Sequence, residues 1–134
     1  MKILKTFLSL TLIITMFSLN SCSGVDTNSP SDVVETSFKL LKNKEYEKLS
    51  KLYVTGDGER LSEDEIKKVE GLLGMAYDEN QKKDGVKNIT IDNEEIMEGG
   101  TTAKVKYTIT YGNGKTNTET AKLYNIDGDW YLSI

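Results

Sequence analysis

Ala103-Lys104-Val105-Lys106-Tyr107-Thr108-Ile109-Thr110-Tyr111 is the stretch that decides the fold. Its apolar and polar residues alternate without a break. Side chains of a strand point to opposite faces in turn, so Ala103, Val105, Tyr107, Ile109 and Tyr111 share one face. Lys104, Lys106, Thr108 and Thr110 share the other. A strand with one buried and one wet face belongs to an antiparallel sheet covered on one side. Turn residues flank it, Glu98-Gly99-Gly100-Thr101 before and Gly112-Asn113-Gly114 after. Upstream, from Val86, Ile89 and Ile91 alternate with Asn88, Thr90 and Asp92 as an earlier strand. Downstream, a strand runs from Thr118 to Ile126. Asp127-Gly128 is a two-residue hairpin signal, and Trp130, Leu132 and Ile134 alternate with Tyr131 and Ser133 in a last strand. Short turns make these neighbours pair antiparallel.

Before Val86 the period is 3.6 rather than 2. Ser29-Pro30 opens a helix: proline suits its first position and Ser29 is placed as N-cap. Val33, Val34, Phe38, Leu40 and Leu41 follow at helical spacing. Tyr46, Leu49, Leu52 and Tyr53 predict a short second helix. After the Gly56-Asp57-Gly58 loop, Ser62-Glu63-Asp64-Glu65 is a capping box. It leads into a third helix with the stripe Ile66, Val69, Leu72, Leu73, Ala76 and Tyr77. Gly71 and Gly74 within it either permit close packing or mark a kink. Helices first and strands second predict an α+β domain over residues 30–134: three helices packed on a curved four-stranded antiparallel meander.

The chain begins differently. Lys2 and Lys5 precede an uncharged apolar run from Phe7 to Leu19, too short for a bilayer span of roughly 20 residues. This is the make-up of a signal peptide, read here over residues 1–21, rather than of a buried core helix. Leu19-Asn20-Ser21-Cys22 resembles the bacterial lipobox; Asn20 departs from its usual small or apolar residue. The resemblance implies diacylglyceryl attachment at Cys22 and cleavage after Ser21. Cys22 is the sole cysteine, so an internal disulfide is excluded; the rival reading is an ordinary secreted protein with a stray thiol. Residues 22–29 then form a lipidated cysteine and a small, polar, flexible tether. The location expected is a bacterial cell membrane. It is the outer membrane if the cell has one, since Ser23 stands where an inner-membrane retention aspartate would be.

Composition narrows the function classes. Without Lys2 and Lys5 the chain keeps 15 basic residues against 21 acidic ones, a net charge of −6. Arg60 is its only arginine. Binding of nucleic acid by charge is disfavoured. There is no histidine, which removes the commonest general base and zinc ligand. No metal site and no cofactor is expected. The acids Asp57, Glu59, Glu63, Asp64 and Glu65, and Asp127 with Asp129, lack calcium-loop spacing. The first-turn acids instead suit a helix N-terminus. Gly112-Asn113-Gly114-Lys115 joins two strands and is no phosphate loop, and Lys104 and Lys106 read as a solvated face.

Pro30-Ser31-Asp32-Val33-Val34 leading to Phe38-Lys39-Leu40-Leu41, then Lys44-Glu45-Tyr46-Glu47-Lys48-Leu49, and terminal Asp127-Gly128-Asp129-Trp130-Tyr131-Leu132 carry a resemblance. In this order they resemble small bacterial lipoproteins of unknown function in the nuclear-transport-factor-two-like superfamily, the cystatin-like or SnoaL-like cone. The resemblance implies a cone with an apolar cavity between helices and sheet. It implies no one activity, since the superfold hosts enzymes, binding modules and dimerisation modules. Ketosteroid-isomerase-like members of the superfamily resembled here use an aspartate base and tyrosine or acid donors inside the cone. Asp92 is the candidate base, with Tyr53, Tyr107 and Tyr124 as donors, but its alternation with Ile89 and Ile91 turns Asp92 to solvent. No catalytic residue is assigned. Tyr107, Tyr111 and Trp130 either line a pocket or fill the core of a small sheet. The expectation is a membrane-anchored, non-enzymatic module binding a protein partner or a small apolar ligand. The alternatives are a cone-fold isomerase or dehydratase acting on a small apolar substrate, and a dimerisation module using the outer sheet face.

Overall fold

Ser29 and Pro30 start the first helix as their chemistry requires. The Ser29 hydroxyl accepts from the Asp32 amide at 3.1 Å, and α1 runs Pro30–Lys42. The computed structural model describes residues 25–134, so the leader read over 1–21 and the attachment residue Cys22 lie outside the described residues. The second helix is shorter than its spacing suggested: α2 covers only Tyr46–Ser50. Leu52 and Tyr53 fit a helical period but leave the helix, and Tyr53–Val54 forms a strand, β1. The third helix, α3, is Glu63–Gln81, capped by Ser62 and Glu65 in a reciprocal box. Its Glu65 carboxyl is held below its ordinary range, chiefly by the hydrogen bond from the Ser62 amide.

The strands are β2 (Val86–Ile96), β3 (Thr102–Tyr111), β4 (Thr116–Ile126) and β5 (Asp129–Ser133). The expected antiparallel neighbours β2, β3, β4 and β5 pair in chain order. The sheet nevertheless has five strands and is mixed, in the order β1-β5-β4-β3-β2, because β1 adds parallel to β5. That strand is a correction to the four-stranded meander. Two residues carry no readable alternation, yet β5 needs acceptors along its outer edge. The amides of Trp130, Leu132 and Ile134 donate to the carbonyls of Thr27, Leu52 and Val54. Thr27 also donates its hydroxyl to Asp129 at 2.8 Å, so the stretch read as tether meets the domain there.

A register shift between Ile91 and Asn93 changes which β2 side chains face the helices. Glu94 then pairs with inward-facing Val105, and its carboxylate accepts from the Ser31 amide (2.9 Å) and hydroxyl (2.8 Å). Asp92 stays on the outer face and accepts from the Thr108 hydroxyl at 2.6 Å. At the turn after β3, Gly112 is obligatory, because a Cβ there would collide with the Asp84 carbonyl oxygen. Its amide donates to the Gly85 carbonyl at 2.9 Å, which ties the end of α3 to the sheet.

Two apolar clusters result. Val33 and Val34 of α1 pack on Ala103, Val105, Tyr107, Ile109, Leu123 and Leu132. Leu40 and Leu41 pack with Leu49 and Leu52 and with Val69 and Leu73 of α3. The α3 stripe is thus only partly buried: Leu72 is 59% exposed and Ala76 is also exposed, against the expectation that both enter the core. The reason is that α3 docks on α2, where Gly74 approaches the Tyr46 ring, and not on the sheet; Gly71 faces open space.

Leu123 has no exposed surface. Leu123→Ala is expected to lose about 2–5 kcal/mol in urea unfolding. Leu72→Ala should stay within about 0.5 kcal/mol of the parent.

Candidate functional site

Because α3 leans on α2, a wedge is left between it and the sheet. It forms a cavity of about 710 Å³ that opens to solvent. Val34, Phe38 and Leu41 of α1 form one wall and Leu73 and Ala76 of α3 another; Tyr107, Ile109 and Tyr111 of β3 form the floor. The alternation that buries one face of β3 therefore also supplies the floor. Phe38 sets its ring edge-on to Tyr107, centroids 5.5 Å apart. Lys83 places its Nζ 4.5 Å from the Tyr111 ring centre.

The polar group inside is Glu119. Across β3 and β4, Tyr107 stands opposite Glu119 and Ile109 opposite Asn117, so all four share the concave face. Tyr107 Oη donates to Glu119 Oε2 at 2.9 Å, and Asn117 Nδ2 donates to Glu119 Oε1 at 2.7 Å. Burial pushes the Tyr107 phenol well above its ordinary range; the Glu119 charge and hydrogen bond add to this, and Tyr53 and Tyr111 add less. Tyr53 also lines the cavity, and burial raises its phenol too. Apolar walls around a carboxylate–phenol pair can hold a ligand with an apolar body and a hydrogen-bonding group.

The residues singled out in the sequence are divided between locations. Tyr107, Tyr111 and Tyr53 meet at the cavity. Trp130 sits in the core beneath α1, away from the cavity. Tyr124 is on the outer face, where its hydroxyl donates to the Gly56 carbonyl at 2.7 Å and Lys122 lies over its ring. Asp92 is on that outer face as well. Among the described residues no three acidic, cysteine or histidine side chains converge as a metal site. Glu119 was not anticipated. The alternation of Leu123 and Ala121, carried back two residues, is the pattern that places it inward.

A family model described as a domain of unknown function, DUF4878, matches residues 21–133. No curated protein matches the chain. A solved structure from Campylobacter jejuni, provisionally named an NTF2-like transpeptidase, is similar with a TM-score of 0.64 at 17% identity. The match covers 78% of this chain and 97% of that one. At that identity the likeness shows the fold, an NTF2-like cone.

The Tyr107 phenol keeps its proton in the folded state beyond the ordinary value of 10.0. The stabilisation is complete below pH about 10 and is lost as pH rises above it, because the unfolded chain releases the proton first. Urea melts from pH 9 to 11 should therefore show stability falling more steeply in the parent than in Tyr107→Phe.

Proposed function

We propose a function that proceeds from one premise: the chain belongs to the DUF4878 family, and its cone is a lipid-anchored, non-enzymatic binding module of the cell envelope. The observation that carries the binding reading is the open cavity with a single carboxylate inside it, both of whose oxygens already accept protein hydrogen bonds. A general base has to reach the proton it removes, and Asp92, the candidate weighed and expected to face solvent, is on the opposite face of the sheet. The anchor reading rests on Lys2 and Lys5, the apolar run and the lone Cys22. Among the described residues no helix is long and apolar enough to cross a membrane.

Geometry supports display. Thr27 is fixed at the start of β5, five residues after Cys22, which limits the reach from the lipid to about 18 Å. The cavity is lined by Ser133 and Ile134, at the far end of β5. A domain held at Thr27 carries its cavity away from the anchoring point.

The second reading, a cone-fold isomerase or dehydratase, is favoured by one observation: the Glu119 carboxylate stands beside the Tyr107 hydroxyl inside the cavity. The two readings separate on what happens to the ligand. A ligand extracted with the protein, identified by mass spectrometry and recovered unchanged after prolonged incubation supports binding. Conversion that Glu119→Gln abolishes establishes the enzyme instead.

Two variants test the module directly. Cys22→Ser should release the protein from the membrane fraction, and retention of a cleaved Cys22→Ser product would refute the anchor. Ala76 is exposed at the cavity mouth, so Ala76→Trp should lower binding of an apolar reporter dye at least tenfold. Its melting transition should remain that of the parent.

A further inference from the structure

Strand β5 covers only one end of β4. Pairing of β4 with β5 runs from Leu123 to Ile126, whereas its pairing with β3 runs from Thr116 to Tyr124. The direction of the main-chain groups follows from two hydrogen bonds. The Tyr111 amide donates to the Lys115 carbonyl and the Asn125 amide to the Thr101 carbonyl, each at 2.9 Å. Odd-numbered residues along this strand therefore address β3. Antiparallel pairs alternate between bonded and unbonded, so even-numbered residues address the other side. There Tyr124 meets β5, while the amides and carbonyls of Thr116, Thr118 and Thr120 face no strand among the described residues. The gap lies in line with β5, past the Leu123–Leu132 pair at which the pairing of the two strands stops, and the nearby Ile134 side chain is 63% exposed. Thr120 and Ile134 both border the cavity, so the gap opens onto it.

Free edges are normally guarded by charge, proline, bulges or shortness. β2, at one side of the sheet, has two register shifts and carries Lys87, Asp92, Glu94 and Glu95. β1, at the other side, is two residues long and bridged to Arg60. The open part of β4 has none of these guards. Its outward side chains are threonines, and its one charge, Glu119, is turned inward and engaged.

We propose that Thr116–Thr120 accepts an added strand: an extended peptide segment lies alongside β4 in line with β5, bonded to the main chain of Thr116, Thr118 and Thr120. This rests on reading the cavity as a binding site and names its ligand. The segment spans about five residues, roughly 17 Å. Alternate side chains enter the cavity, so these are apolar, with a hydrogen-bond donor at the position that meets Glu119. Affinity comes from the main chain and selectivity from the alternate side chains. A second copy of the chain fits less well: it would offer the guarded β2, the two-residue β1, or its own Thr116–Thr120, whose inward side chains, Asn117 and Glu119, are polar and would bring a second carboxylate up to Glu119.

The full-length protein in lipid nanodiscs is panned against a random heptapeptide display library, and the strongest binder is made as a synthetic peptide. Hydrogen exchange read by NMR should slow at Thr116, Thr118 and Thr120 on binding. Thr118→Pro removes an amide that points away from β3, a place where an edge strand tolerates proline. It should weaken the peptide at least tenfold, while Thr118→Val binds as the parent does. N-methylation of the peptide amides that face β4 should have the same effect as Thr118→Pro, and it leaves the protein unaltered. Failure to select any binder overturns the proposal, as does a binder indifferent to both changes or self-association that protects the same amides. The dye 1-anilinonaphthalene-8-sulfonate distinguishes the two levels. If it still binds and Ala76→Trp still blocks it, the cavity reading stands without the strand; if neither peptide nor dye binds, both fall.

Discussion

The amides of Trp130, Leu132 and Ile134 all leave β5 on the same side, and their acceptors determine how the two halves of the chain meet. Leu52 and Val54 supply two of the carbonyls, and they belong to the segment that leaves α2. A five-residue strand at the end of a meander is thereby paired on both sides, and the helical half is tied to the sheet by main-chain bonds as well as by packing. Thr27 supplies the third carbonyl, so the segment before α1 is drawn to the same strand. Unpaired, the donors of the buried Trp130 and Leu132 would each cost on the order of 1–3 kcal/mol.

That joint also fixes where α3 can be. With α2 held close to β1, α3 follows a short loop and packs on α2 through Val69, Leu73 and Gly74. It cannot also lie flat on β3 and β4. The cavity is the space between those two demands, and the exposure of Leu72 and Ala76 has the same origin. Close packing is the rule in protein interiors, so an open apolar wedge of this size is a built feature of the cone.

Much of this was legible in the residues. Strand β3, both helix caps and the Asp-Gly hairpin each carry a local chemical signature, and each forms where it was read. The α+β order follows from the change of period at Val86. What was not legible depends on partners distant in sequence. Tyr53 and Val54 are a strand only because β5 lies beside them. The far half of β2 is a strand whose face changes at a register shift, and a shift leaves no mark on composition. The first half of β4, Thr116–Thr120, has no apolar residue to alternate because its inward positions face a wet cavity. Alternation puts Tyr107 and Tyr111 on the inner face, which is the face that borders the cavity. Face alone did not separate them from Trp130, which shares the inner side but lies under α1.

Two carboxylates face the helices, and they differ in what surrounds them. Glu94 meets the N-terminus of α1 and two donors from Ser31, where the helix dipole favours a negative group. Glu119 meets only neutral donors, the Tyr107 hydroxyl and the Asn117 amide. Lys83, placed on the Tyr111 ring, forms no ion pair with it. Neither donor is charged, so Glu119 brings an unneutralised carboxylate to a cavity whose lining also includes Lys122. An acidic head group entering it would meet a like charge, whereas a hydroxyl, amide or amine would find spare acceptor capacity. The threonines at the open edge of β4 ask for the same complement, a main chain that brings donors and acceptors in alternation. On the proposed reading, cavity and edge would therefore take one kind of visitor: extended, apolar on its inward side, and donating where it reaches Glu119.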